Sequence, residues 1–264
     1  MTTTALTNRH DHLVHNRRML IGRSLAATVA GTLPIPLVEE WLSSTIKRRT
    51  IARIAESHAV DMSDEALRAI ADGPRRAPEW TDVAGGTLAG KLLTRGWRKL
   101  LIGVIAARRT QVAGHTFLVA TLFDHYCARL HVGLGLDGHD AAELRSLMGK
   151  AITSTSGGLS RHMFRRAVVS AARATAKAPL EIADIATGGA VRKLLTRGDE
   201  VEAVTEVDEE LERQMAAKDS FLARAAFIVE LELSADSNPY LDDLIEAFES
   251  LWRKRKHRTS TNDS

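Results

Sequence analysis

Between Thr87 and Ala107 apolar residues return every three or four positions: Leu88, Leu92, Leu93, Trp97, Leu100, Leu101, Val104 and Ile105. That spacing gathers them on one stripe of an α-helix and does not suit the alternating face of a strand. The same period runs through much of the chain. Leu37, Val38, Trp41, Leu42 and Ile46, then Ile51, Ile54, Ala55 and His58, predict a helix opening near Pro36, where a missing N–H does no harm. Gln111 to Leu130 is apolar nearly all round and reads as a buried central helix. Leu241, Leu244, Ile245, Phe248, Leu251 and Trp252 form the inner face of a last helix, opened by Asn238-Pro239. Only 5% of the residues are aromatic, while alanine, leucine and arginine recur everywhere. Those three enter helices at little cost, whereas β-branched and aromatic residues mark strands. The expected fold is therefore all-α, a compact bundle of about eight to ten helices, long enough to bury a substantial core.

Boundaries follow from punctuation. Residues 1–17 read as a flexible polar tail, and a first helix runs from about Arg18 to just before Pro34-Ile35-Pro36. Ser63 suits an N-cap for SDEALRAIA, with Asp64 and Glu65 in its first turn. DGPRRAPEWTDVAGG is a loop by composition. Gly133, Gly135 and Gly138 make a turn, and Asp140 with Glu143 fits a capping box for the next helix. The stretch 153–160, TSTSGGLS, divides the chain into a first helical half (18–152) and a second (161–258). Within the second half, helices are expected at Arg161 to Lys177 and in EIADIATGGAVRKLL. A long one follows from Asp199 to about Leu233, with Val204, Val207, Leu211 and Met215 on one face. Residues 259–264 read as a disordered tail. KLLTRG occurs at 91–96 and again at 193–198, and the pattern around Arg23 to Glu40 returns loosely around Arg166 to Asp184. A duplicated hairpin would relate the two halves, and coincidence among alanine-rich helices would produce the same echo.

Charge and cysteine usage narrow the function classes. The single Cys127 cannot form an intramolecular disulfide, and the polar N-terminus lacks a signal-like apolar run. A reducing, cytoplasmic setting is therefore expected. The quietest stretch, Ser24 to Val38, is broken by Gly31, Pro34 and Pro36 and is too short to cross a bilayer as a helix. A net charge of +3 does not mark a nucleic-acid binder. The layout says more than the sum. Lys91, Arg95, Arg98 and Lys99 lie opposite the leucine stripe that holds Trp97, and such a helix can lie in a membrane interface. A solvated surface helix packed on a core shows the same pattern. Arg253, Lys254, Arg255, Lys256 and Arg258 form a second basic cluster, able to draw the chain to an anionic surface or to complement a helix dipole. Asp199 to Glu212 holds eight carboxylates and no cation, a face for a basic partner, for the basic tail, or for solvent.

Chemistry-bearing templates are missing. There is no G-x-S-x-G, P-loop, H-E-x-x-H or C-x-x-C, so no catalytic residue is assigned. His10, His12 and His15, and separately Asp124, Cys127 and His131, have metal-ligand chemistry. The first set lacks rigid support and the second offers one thiol on an apolar helix, so neither a metal nor another cofactor is expected. His115 and His125 read as core histidines. An unfamiliar helical active site around His115, Asp124, His125 and His131 stays open as an alternative.

One segment resembles a known family. The small-residue helix SLAATVAGT, the turn LPIPLVEE, the helix STIKRRTIARIAESHAV and the following MSDEAL together span about Gly22 to Ala71. They are similar to an uncharacterised helical domain of bacterial membrane-associated proteins, found also beside some small GTPases. The resemblance implies a bacterial protein associated with the envelope, and it implies no catalytic residues. Ala167 to Ala186 departs from the more hydrophobic second hairpin of that family. The resulting expectation is a non-enzymatic protein associating peripherally with the inner face of a membrane through Lys91, Arg95, Trp97, Arg98, Lys99 and the C-terminal cluster. The alternative is a scaffold that meets a protein partner, or further copies of itself as a homo-oligomer, through its charged faces.

Overall fold

A computed structural model describes residues 11–30, 38–74, 110–155, 161–174, 200–234 and 239–262. Nine helices lie among them: α1 (Asp11–Ala30), α2 (Val38–Ser57), α3 (Asp64–Asp72), α4 (Thr110–Arg129), α5 (Gly138–Ser154), α6 (Arg161–Ala174), α7 (Glu200–Ala216), α8 (Phe221–Leu233) and α9 (Tyr240–Asn262). Two short strands, β1 (Asp61–Met62) and β2 (Gly135–Leu136), pair in parallel, Asp61 opposite Gly135 and Met62 opposite Leu136. The all-α expectation holds, and the bridge only pins two loops together.

α4 is the central helix that its all-round apolar sequence predicts. It packs against α1, α2, α5 and α6, and its Phe117, Leu122 and Phe123 are fully buried. Phe117 meets Phe164 of α6 with ring centroids 6.1 Å apart. Each such side chain contributes about 1.5–3 kcal/mol by leaving water. α1 lies beside α4, and its Ala26, Ala27 and Ala30 are buried, which lets neighbouring backbones approach. Thr28, Thr50 and Thr121 are buried too, and each hydroxyl donates to a carbonyl one turn earlier in its own helix. Their polar atoms therefore enter the core without orphaned donors.

Three boundaries differ from the sequence expectation. α1 begins at Asp11, ahead of Arg18, because Leu13 is buried and Asn16 and Arg17 find partners on other helices. The cap of α5 is Asp137, whose side chain accepts from the Asp140 N–H at 2.8 Å. Asp140 and Glu143, read as a capping box, instead pair with Arg255. The segment from Asp199 is not one helix. It breaks at 217–220, where Ser220 accepts from Ala223 N–H at 3.0 Å and opens α8. Ser63 caps α3 as predicted, accepting from Ala66 N–H at 3.1 Å. α9 starts just after Pro239, whose carbonyl accepts from Asp243, and continues through Asn262 into the stretch read as a tail. Its predicted inner face is buried at Leu241, Leu244, Ile245, Phe248 and Trp252. The helices expected at Thr87 to Ala107 and in EIADIATGGAVRKLL, the proline turn before Val38, and both KLLTRG copies lie outside the described residues.

Candidate functional site

α9 packs on α5 and on α4, near the end of α4 that leads into the turn before β2. Trp252 is buried and stands edge-on to Tyr126, with centroids 5.2 Å apart. Burial, with Cys127 and Asp140 nearby, pushes the Tyr126 hydroxyl up to about 12. The guanidinium of Arg255 lies 4.7 Å over the Trp252 ring and pairs with Asp140 at 3.0 Å and Glu143 at 2.7 Å. Burial alone would lower the Arg255 pKa, but Glu143 and Asp140 outweigh it and raise it. Arg255 is thus turned onto its own fold. Arg253 and Lys254, by contrast, are exposed, and Arg253 donates only to the Glu249 carbonyl one turn back.

The turn itself is held from both sides. His131 Nδ1 is 3.1 Å from the Tyr126 hydroxyl, and the Asp61 N–H donates to the Leu134 carbonyl at 2.8 Å. Between those anchors Gly133 adopts a positive φ of 116° and projects its neighbours outward. Val132 is 84% exposed and Leu134 86%. The pinned turn thus presents two exposed aliphatic side chains, while α9 separately exposes Arg253 and Lys254. Sequence reasoning saw the glycines as a turn and missed the aliphatic pair between them.

The remaining predicted binding residues fall elsewhere. Lys91, Arg95, Trp97, Arg98 and Lys99 lie outside the described residues, and Lys256 and Arg258 lie in α9 with side chains that are outside them.

The histidines and Asp124 do not converge. Asp124, on α4, is fully buried, and its Oδ1 accepts from Asn16 Nδ2 at 3.2 Å and meets His58 Nε2 at 2.7 Å. His58 ends α2 and Asn16 belongs to α1, so one carboxylate ties three helices together. Its other oxygen, Oδ2, has no partner. Burial and the Asp124 charge push the pKa of the neighbouring Cys127 thiol up. His131 turns to Tyr126, and His125 sits 3.1 Å from Glu249 of α9. Among the described residues no group of three His, Cys, Asp or Glu side chains could hold a metal ion. Of the four residues in the alternative site, Asp124 pairs with His58, His125 with Glu249 and His131 with Tyr126, while His115 lines a pocket between α2 and α5.

The acidic stretch also has a specific role. Asp208 of α7 meets Arg23 of α1 at 2.5 Å, with Arg49 and Arg53 of α2 at 3.5 and 3.3 Å. Glu212 adds a second contact to Arg53. Arg23 is 2% exposed, and desolvation lowers its pKa despite the hydrogen bond it donates to Asp208. The acids thus dock on arginines of α1 and α2, and the basic residues of α9 are not their partners among the described residues. Comparison with known proteins finds no matching family model, no similar curated protein and no similar solved structure.

Proposed function

We propose that this chain works by binding, as a peripheral protein on the anionic cytoplasmic face of a membrane. The observations that support the reading are the exposed aliphatic side chains of Val132 and Leu134, on a turn pinned through His131 and Leu134, and the exposed cations Arg253 and Lys254 of α9. Aliphatic side chains entering the interface would each contribute up to about 1.5–3 kcal/mol, and each cation near anionic headgroups about 1 kcal/mol. The sum suits reversible attachment, strengthened by the basic face of Lys91, Arg95, Arg98 and Lys99 with Trp97 if that segment reaches the same surface. No described helix is long and apolar enough to cross a membrane, which is compatible with surface attachment. The resemblance of Gly22 to Ala71 to a membrane-associated domain points the same way.

Flotation with neutral and anionic liposomes at low and high salt tests the reading. Wild-type protein should float with anionic vesicles at low salt. Val132→Asp with Leu134→Asp, and Arg253→Glu with Lys254→Glu, should each reduce the floated fraction. The combination Arg95→Glu, Arg98→Glu and Lys99→Glu reports the contribution of the other basic face. Wild-type protein that stays with the soluble fraction on every vesicle ends the proposal.

A second reading, a protein–protein contact, is favoured by α8. Phe227 and Leu231 are exposed one turn apart, with Arg18 5.9 Å over the Phe227 ring. Salt-sensitive self-association without lipid, lost in Phe227→Ser with Leu231→Ser, would support it.

A further inference from the structure

Helices α2, α3, α4 and α5 line an open pocket of about 420 Å³. That is ample for a small organic molecule. Three basic side chains line it from three helices: Lys47 from α2, His115 from α4 and Arg145 from α5. Ile51, Val119 and Ala120 line it as well and give it an aliphatic surface. One carboxylate also lines the cavity, that of Asp72, but both its oxygens are occupied. Ser44 donates to one at 2.7 Å and Arg48 to the other at 2.8 Å.

Arg145 is the key group. Its Nε is buried without a hydrogen-bond partner. A charge-assisted pair with an anion would satisfy that donor. Nearby, Gly73, the cap of α3, sits at φ 69° and ψ −147°, a conformation that essentially only glycine adopts. The mixture of cationic and aliphatic lining matches a ligand with an anionic head and a short apolar body.

We infer that this cavity binds a small organic anion, a carboxylate or phosphate monoester whose head meets Arg145, Lys47 and His115 and whose body lies on Ile51, Val119 and Ala120. The electrostatics agree. Burial lowers the His115 pKa first, and Arg145 and Lys47 lower it further. Desolvation lowers that of Arg145 as well. A bound anion reverses the sign of the local field, so it should move the His115 pKa up towards its ordinary value.

The test uses the full chain without lipid, which separates it from the membrane reading. Phenyl phosphate, benzoate and inorganic phosphate are titrated at constant ionic strength, with the His115 ring resonances and the melting temperature followed. Phenyl phosphate or benzoate should shift the His115 resonances saturably, raise the His115 pKa and raise the melting temperature. Inorganic phosphate should bind more weakly for want of the apolar body. Arg145→Gln should weaken binding by about tenfold or more, while Lys218→Gln, exposed and not lining the cavity, should leave it unchanged. Should Arg145→Gln fail to fold, the His115 response of the wild-type chain decides alone. Resonances that do not move with any of the three anions, or equal binding by Arg145→Gln, would overturn the inference.

Discussion

Ala59 is the one described non-glycine residue with a positive φ, 55°. It follows α2, where the Val60 N–H reaches the Ala55 carbonyl at 2.9 Å and the Ala59 N–H the Glu56 carbonyl at 3.2 Å. Helices commonly end this way with glycine at the left-handed position. An L residue there carries about 1–2 kcal/mol of strain. Ala59 is exposed, so removing its methyl sacrifices no packing. Ala59→Gly should therefore stabilise the fold by about 1 kcal/mol, less what glycine adds to the freedom of the unfolded chain. Denaturant unfolding should show a raised midpoint with an unchanged slope. A lowered midpoint would mean that the turn does not hold its left-handed residue in solution. Nothing in the sequence marks Ala59 as the cap, because the residue type that usually signals this conformation is absent. The Asp124 to His58 contact was equally hidden, for it joins residues 66 apart in sequence. Ser63 was legible because capping is local: acceptor, N–H and acidic first turn fall within a few residues.

At the scale of elements, α7 shows how a charged helix can be more than a solvated face. Its contact with α1 rests on Asp208 among Arg23, Arg49 and Arg53, and on Met215, whose sulfur lies against the backbone at Gly22. Asp208 and Glu212 are both acids on α7, yet they should behave differently. Asp208→Ala leaves the buried Arg23 with the long 3.9 Å contact to Glu212 among the described residues, and should cost about 3–5 kcal/mol. Glu212 is 52% exposed, and Glu212→Ala should cost under about 1 kcal/mol. Thermal or denaturant unfolding of the two variants measures the contrast, and equal losses would show that burial around Arg23 does not set the energy. The run of acids was plain in the sequence. Which acid turns inward was not, since that depends on where α1 and α2 lie. The break between α7 and α8 was missed for a related reason: Ala217, Lys218 and Asp219 include neither glycine nor proline, and Ser220 declares itself only through the N–H it accepts.

Over the whole molecule, sequence punctuation left open one domain or two closely packed halves meeting at 153–160. The buried hydrophobic residues form one cluster from Leu13 to Trp252. α8 packs on α1, α6 on α4, and α9 on both α4 and α5, so elements after the supposed division cover those before it. Phe164, Phe221 and Phe248 are fully buried in that shared interior. The candidate turn at Val132 and Leu134 depends on it too, because His131 and Tyr126 are braced by Trp252. The cavity at Arg145 lies wholly among α2 to α5, yet α5 keeps its place partly through Arg255. If one core is what folds, the full chain should unfold in a single transition with coincident probes. A chain ending at 155 should then lose that transition and expose apolar surface, because α1 and α4 would be stripped of α8, α6 and α9. Calorimetry on the full chain and near-UV circular dichroism on the shortened one check both points. A sharp, cooperative transition in the shortened chain would instead restore the two-half organisation, with 153–160 as its hinge.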